Sequence, residues 1–111
     1  MEITVKKDSG ITVICPNGRI DTSTAKNFEE GIMKAIPDNH QIIISFLETS
    51  YISSAGLRVI LVAGKKIAAM NGQLALAEMS DKILEVFKMS GFDKILKIYP
   101  TFEDAKSSFN R

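Results

Sequence analysis

The feature that most constrains the fold is a short apolar run at residues 41–47, in which three consecutive isoleucines are followed by Phe46 and Leu47. Continuous β-branched residues over so short a length are typical of a central strand covered on both faces. Apolar residues recur at helical spacing before the run, from Ala25 to Ile36, and after it, from Leu57. A buried strand between two amphipathic helices predicts an α/β layer fold.

The chain before that run predicts a hairpin and a helix. Two β-branched segments flank an Asp-Ser-Gly turn at residues 8–10, a pattern typical of a β-hairpin. Asn17-Gly18 predicts a further break. The hydroxyl side chains of residues 22–24 offer N-caps for the first helix, and residues 37–39 (Pro-Asp-Asn) predict its end.

The chain after the run predicts alternating helices and strands. The second helix extends to about Asn71, where Asn71-Gly72 supplies a left-handed C-cap. A strand at residues 73–79, a helix from Ser80 to Gly91 and a strand at residues 95–99 follow, and a capping box at Thr101 and Asp104 opens the last helix. The inward face of the second helix is predicted to hold Leu57, Ile60, Leu61, Gly64, Ile67 and Ala68.

Charge and composition exclude several classes of function. Fourteen basic and 13 acidic residues nearly cancel, whereas nucleic-acid-binding proteins usually carry a basic excess. The longest apolar stretch, around residues 57–70, is too short and too charged to span a bilayer, so no membrane insertion is expected. A single cysteine, Cys15, fits a reducing compartment and a cytoplasmic protein.

The sequence offers no constellation for catalysis. The one histidine, His40, lies apart from any obvious acid or nucleophile, and Cys15 lies in a predicted strand, where a lone cysteine is usually a small buried hydrophobe. Neither clustered metal ligands nor a phosphate-cradling glycine pattern occurs. We therefore expect a protein that is not an enzyme, with no catalytic residue, metal or cofactor.

The informative segment is residues 51–57, which join the buried strand to the second helix. Ser54 is predicted as the N-cap of that helix, at the positive end of its dipole. Backbone amides there can receive a phosphate, so phosphorylation of Ser54 would add charge without unfolding the helix. Ala55 and Gly56 are small and would leave the hydroxyl accessible. On chemistry alone, an ordinary helix cap explains the same residues.

Residues 52–57 (Ile-Ser-Ser-Ala-Gly-Leu), placed directly after the apolar strand, resemble the signature of the anti-sigma factor antagonists, which belong to the STAS domains (sulfate transporter and anti-sigma factor antagonist). Residues 18–25 are similar to the family's segment before its first helix. The resemblance covers essentially the whole chain. It implies a single STAS domain at residues 1–111, an α/β fold with a mixed β-sheet of four to five strands and about four helices packed mainly on one face.

The resemblance also implies a mechanism. An antagonist of this family binds an anti-sigma factor that is also a serine kinase, and thereby frees a sigma factor. The kinase phosphorylates the serine that aligns with Ser54, complex formation is lost, and a PP2C-type phosphatase restores it. Asp21 falls on an acidic family position and is carried over as a partner or kinase contact. A monomer is expected.

Two departures from the family pattern bear on this mechanism. Ser53 stands where the family usually has Asp before the phosphorylated serine, and Ser45-Phe46 stands where the family strand often ends in Asp-Leu. Because both acids are absent, kinase recognition is expected to differ, and Ser53 becomes a second candidate acceptor.

A contact surface is predicted around the start of the second helix. Arg58, Val62, Lys65 and Ala69 form the stripe opposite the inward face, with apolar gaps between the cations. The alternative is a solvated helix face. The predicted partner-binding residues are Asp21, Thr22, Ser53, Ser54, Ala55, Gly56, Arg58 and Val62.

Two other functions remain open at this point. The chain could be a STAS subunit of another assembly, stressosome-like or lipid-transporting, without phosphorylation switching; the missing Asp before Ser54 favours this alternative. A small enzyme or nucleotide-binding protein with Ser54 as nucleophile would need a general base, and only carboxylates such as Asp21 are available.

Overall fold

A computed structural model describes residues 1–36 and 40–109. The opening segment forms the predicted hairpin: β1 (Glu2–Asp8) pairs antiparallel with β2 (Ile11–Ile20). Ser9 and Gly10 form the turn and both have positive φ, 53° and 84°. Positive φ at both central residues is typical of the tight turns whose twist matches that of the flanking strands. The residues predicted to end the first helix, 37–39, lie outside the described residues.

After β1, the described residues form five more strands (β2 to β6), four helices and a short 3₁₀ turn. The helices are α1 (Ala25–Ala35), α2 (Ser54–Ala69), α3 (Asp81–Met89) and α4 (Phe102–Ser108). The remaining strands are β3 (Gln41–Ser45), β4 (Thr49–Ile52), β5 (Gln73–Ala77) and β6 (Ile98–Tyr99), and the 3₁₀ turn is Phe92–Lys94.

The sheet is mixed, and its topology depends on the length of β2. The strand order is β1-β2-β3-β5-β6; among the described strands, β1 and β2 pair antiparallel and the other pairs are parallel. The first half of β2 pairs with β3, at Thr12 to Ile14, and its second half pairs in parallel with β4. Strands β3 and β4 therefore follow one another along the same side of β2.

The core has two layers, one on each face of the sheet. The larger layer packs α1, α2 and α3 on one face, with Phe28, Ile60 and Phe87 fully buried. The smaller layer lies on the opposite face, where Ala105 of α4 packs over Ile43 and its neighbours. This confirms a central β3 covered on both sides and helices packed mainly on one face.

Three expectations about the strands are wrong. The described sheet has six strands and not four to five, because residues 49–52 form a strand where the sequence predicts a connection to the second helix. Asn17-Gly18 does not break the chain: β2 continues to Ile20, and a register shift between Gly18 and Arg19 absorbs the irregularity, with Gly18 at φ 98°. The last strand is shorter than residues 95–99, since the 3₁₀ turn precedes it.

The helix ends agree with the sequence in part. Asn71 takes the left-handed conformation after α2, and the hydroxyls of Ser80 and Thr101 accept N–H groups in the first turns of α3 and α4. Gly91, also left-handed, ends α3. On the inward face of α2, however, Ala68 is exposed, and the positions that were missed, Val59 and Ala63, are buried.

Candidate functional site

The candidate site lies at the edge of the sheet where β2 and β4 end together. Ile20 pairs with Ile52 in parallel register, and the Ser53 amide donates to the Ile20 carbonyl at 2.8 Å. Because neighbouring parallel strands leave a sheet at the same edge, the loop that begins at Asp21 and the helix that begins at Ser54 lie side by side. The structure thus brings the two sequence motifs together.

The Asp21 loop is held by its own polar side chains. The Asp21 carboxylate accepts from the amide and the hydroxyl of Ser23 at 3.0 and 2.7 Å. The hydroxyl of Ser23 lowers the pKa of the Asp21 carboxyl below its usual value, so this group stays ionised at neutral pH. The carboxylate is therefore a fixed negative charge beside the start of α2.

The hydroxyls before α1 do not act as predicted. Thr24 is the N-cap, yet its side chain makes no cap hydrogen bond. Its hydroxyl donates instead to the Arg19 carbonyl at 2.8 Å and accepts the Asp21 amide at 2.9 Å. Thr24 thus fastens the loop to the end of β2, and exposed Thr22 and Ser23 lie at its surface.

The start of α2 differs from the prediction by one residue. Ser53, in extended conformation with φ −100° and ψ 176°, is the N-cap, and Ser54 is the first helical residue. The Ser53 Oγ is buried and has no hydrogen-bond partner among the described residues, whereas Ser54 is exposed. The first turn of α2 therefore has neither a side-chain cap nor an acidic residue.

Gly56 has a packing role at this site. It is buried in the first turn of α2, and a Cβ atom there would lie 2.6 Å from Ile20 Cγ2 and 2.7 Å from Ile52 Cγ1. Glycine thus lets the helix start press against the ends of both strands. The sequence predicts Gly56 as a contact residue that leaves the serine accessible, whereas in the structure it is buried against the ends of β2 and β4. Ala55 is half-buried.

Sequence reasoning missed one cation–π pair beside the site, Arg19 and Tyr51. Arg19 and Tyr51 are register partners on β2 and β4, on the face opposite to α1 and α2. The Arg19 guanidinium lies 4.3 Å from the centre of the Tyr51 ring and 3.5 Å from the Asp21 carboxylate. No sequence signal marked the pair, because it exists only when β2 continues past Gly18 and β4 is a strand.

The stripe predicted on α2 is exposed. Arg58, Val62, Lys65 and Ala69 all face solvent, with Val62 exposed to 43%. Arg58 follows Ser54 by one helical turn, and in the described part of the chain no carboxylate lies within ion-pair distance of it. The stripe is therefore a free surface that begins at the serine.

Other chemistry finds little support in the described residues. His40 is exposed, and burial raises the pKa of the half-buried Cys15 thiol. Across residues 1–36 and 40–109, no group of three or more His, Cys, Asp and Glu side chains could hold a metal ion. None of the helices in these ranges is long and apolar enough to cross a membrane.

Comparison with known proteins decides the family. The sequence profile of the STAS domain matches residues 2–105, which span the hairpin, the Asp21 loop, the start of α2 and most of α4. The chain belongs to the STAS domain family. The resemblance drawn from the two sequence motifs is thereby confirmed.

The relatives of this STAS domain carry names that agree with one another. BtrV of Bordetella bronchiseptica, named as an anti-sigma factor antagonist, is 30% identical over 110 residues, 98% of this chain and 95% of its own. The anti-sigma-F factor antagonist RsfB of Mycobacterium tuberculosis is 26% identical, over 93% of this chain and 84% of its own.

Solved structures show the same fold. An anti-sigma factor antagonist from Mycobacterium paratuberculosis superposes with a TM-score of 0.91 at 22% identity, covering 99% of this chain and 94% of that one. The antagonist SpoIIAA in its unphosphorylated form gives 0.73 at 19% identity, covering 99% and 98%. SpoIIAA from Bacillus has also been solved in a phosphorylated form, with a TM-score of 0.71 at 22% identity, covering 97% and 99%.

Proposed function

We propose that this STAS domain is an anti-sigma factor antagonist of the bacterial cytoplasm. It binds an anti-sigma factor that is also a serine kinase, frees a sigma factor, and is released when Ser54 is phosphorylated. The names of its relatives support the role. The observation that carries the proposal is the exposed hydroxyl of Ser54 at the first residue of α2, beside the Asp21 loop.

The two serines at the start of α2 differ in access. Less than 1 Å² of the Ser53 Oγ is exposed, whereas Ser54 is an exposed residue. Phosphoryl transfer needs the attacking oxygen in line with the γ-phosphate, so the acceptor has to enter the kinase site. We therefore assign Ser54 as the acceptor and remove Ser53 as the second one.

A phosphate on Ser54 fits the helix and changes the surface. It adds about −1.5 to −2 charges at neutral pH. The first turn of α2 itself has no acidic residue, and the helix dipole favours the phosphate, whereas the ionised Asp21 carboxylate in the neighbouring loop opposes it. Arg58 lies four residues later, the spacing and direction in which an acidic group and a cation pair on a helix. The phosphate would therefore pair with Arg58, so that Arg58 no longer contacts a partner, and it would also add negative charge to the contact surface.

The contact surface follows from exposure. It runs from Asp21 and Thr22 over Ser54 to Arg58 and Val62 on α2, with half-buried Ala55 at its edge. Ser53 and Gly56 support this surface from below. A PP2C-type phosphatase would reach the same exposed serine and restore binding.

The test is affinity capture from a lysate of the bacterium that carries the gene, with wild type, Ser54→Ala and Ser54→Asp as baits. We expect wild type and Ser54→Ala to retain an anti-sigma factor with serine kinase activity, because the alanine leaves the surface neutral. The Ser54→Asp bait should lose it.

A control variant distinguishes an effect of the position of the new charge from an effect of the added charge itself. Ser107→Asp adds the same charge on exposed Ser107 of α4, on the other face of the sheet, and should retain the partner. Capture of the same scaffold or transporter proteins by wild type and Ser54→Asp would contradict the proposal. It would favour a STAS subunit of another assembly, in which Ser54 is part of the helix start alone.

A further inference from the structure

A cavity of about 460 Å³, about half open to solvent, lies beside the second half of α2, away from Ser54 itself. Leu61 and Gly64 of α2 form part of its wall, and Leu74 of β5 and Leu96 line it as well. The volume falls within the range of about 300–1,000 Å³ that is typical of small-molecule sites. Ten residues of α2 separate Ser54 from Gly64, a distance of about 15 Å along the helix.

The described charged residues that line this cavity are all basic. Among the described residues that line it, the charged side chains are Lys65 and Lys97, both exposed. Neither has a carboxylate of the described chain within ion-pair distance. Aliphatic walls with two unpaired cations at the solvent side are complementary to a hydrocarbon chain that ends in an anion.

Gly64 adds an independent observation. A Cβ atom at this position would lie 3.7 Å from Leu74 Cδ2 and 3.7 Å from Leu96 Cδ2, which is ordinary van der Waals contact. Alanine would therefore fit, and it would favour the helix. In contrast to Gly56, no close approach of a neighbour explains the glycine. Because Gly64 has no side chain, it leaves space in the cavity.

We propose that this cavity binds a fatty-acid anion. The hydrocarbon chain lies between Leu61, Leu74 and Leu96, and the carboxylate lies beside Lys65 and Lys97. The site does not include Ser54, although Lys65 also belongs to the exposed stripe of α2, and the proposal does not depend on the identity of the proposed partner.

The test is isothermal titration calorimetry of the whole chain with dodecanoate below its micellar concentration, and with the neutral 1-dodecanol for comparison. We expect wild type to bind one equivalent of dodecanoate. The double variant Lys65→Gln/Lys97→Gln should weaken dodecanoate binding by about tenfold or more, because charge-assisted hydrogen bonds are lost. Binding of the alcohol should stay as in wild type.

Two further variants locate the site. Gly64→Phe fills the cavity from its wall and should abolish dodecanoate binding, with the fold checked by circular dichroism. Lys82→Gln/Lys88→Gln removes two exposed charges from α3, outside the cavity, and should leave binding unchanged.

Three results would overturn the proposal. The first is the absence of saturable dodecanoate binding to wild type. The second is an equal loss in the two lysine double variants, which would indicate a general effect of net charge. The third is dodecanoate binding that survives both Gly64→Phe and Lys65→Gln/Lys97→Gln, which would place the ligand elsewhere.

Discussion

Substitution by alanine is expected to have opposite effects on stability at the two glycines of α2, Gly56 and Gly64. In Gly56→Ala, the new Cβ lies 2.6 Å from Ile20 Cγ2 and 2.7 Å from Ile52 Cγ1, and both isoleucines are almost fully buried. Neither can move away into solvent, so the extra methyl overpacks the core. In Gly64→Ala, the neighbours lie at 3.7 Å and nothing has to move.

The magnitude follows from two terms. Alanine in place of glycine favours a helix interior by about 0.8–1 kcal/mol; Gly64 receives this term in full, and Gly56, in the first turn of α2, receives at most this amount. Overpacking costs about 1–3 kcal/mol and applies only at Gly56. We therefore expect Gly64→Ala to raise the free energy of unfolding by about 1 kcal/mol. Gly56→Ala should range from neutral to destabilised by about 3 kcal/mol, because the helix-propensity gain offsets the steric cost by at most about 1 kcal/mol.

Urea denaturation followed by circular dichroism measures both variants against wild type. The difference in stability between the two variants reports mainly the steric term, since their helix-propensity terms differ by at most about 1 kcal/mol. In thermal melts the same difference should appear as a gap of about 4 °C or more in Tm for a domain of this size. Equal stabilisation of the two variants would refute the packing of Gly56 against the strand ends, and with it the physical reason for the position of Ser54.

Three further predictions concern charge and protonation. In protein carrying phosphoserine at position 54, Arg58→Gln should raise the second pKa of the phosphate, followed by ³¹P NMR, because the paired cation is lost. At the end of β1, the hydrogen bond from Lys106 lowers the pKa of Asp8 below its usual 3.8. Its stabilisation is therefore complete above that value and lost as the pH falls through the lower folded pKa, so Asp8→Asn should flatten the acid side of a plot of urea midpoint against pH. Because burial raises the pKa of the Cys15 thiol, native protein should react with dithiobis(nitrobenzoate) at pH 8 more slowly than urea-unfolded protein.

Each of these predictions has a clear contrary result. Lys65→Gln, on the same exposed stripe but eleven residues from Ser54, is the control for the phosphate measurement and should leave that pKa unchanged; an equal shift would indicate a general effect of net charge. An acid limb identical in wild type and Asp8→Asn would show that the Lys106 pair does not form in solution. Equal thiol reactivity in folded and unfolded protein would place Cys15 in full contact with solvent.

The sequence predicts those structural features that depend on residues close together in the chain. The hairpin was correct because a two-residue turn with positive φ needs only its own local sequence, here Ser9-Gly10. Strand β3 was correct because burial on both faces removes alternation from the pattern. The cap hydroxyls of Ser80 and Thr101 were correct for the same local reason.

The features that the sequence did not predict depend on pairing between strands that are far apart in the chain. Strand β4 has four residues and pairs only with the far half of β2, so neither its length nor its neighbours identify it. The bulge at Gly18 looks like a chain break until that pairing is known. The N-cap was misplaced by one residue, because Ser53 and Ser54 have the same cap propensity and only the end of β4 at Ile52 decides between them.

Localisation of the phosphate tests the central claim most directly. The anti-sigma factor kinase captured by the wild-type bait is incubated with the protein and ATP, the modified residue is identified by fragmentation mass spectrometry, and the affinity of each form for the kinase is measured. We predict phosphate on Ser54 and not on Ser53, with affinity reduced at least about tenfold, or about 1.4 kcal/mol. Phosphate on Ser53, or equal affinity of the phosphorylated and unphosphorylated forms, would contradict the account.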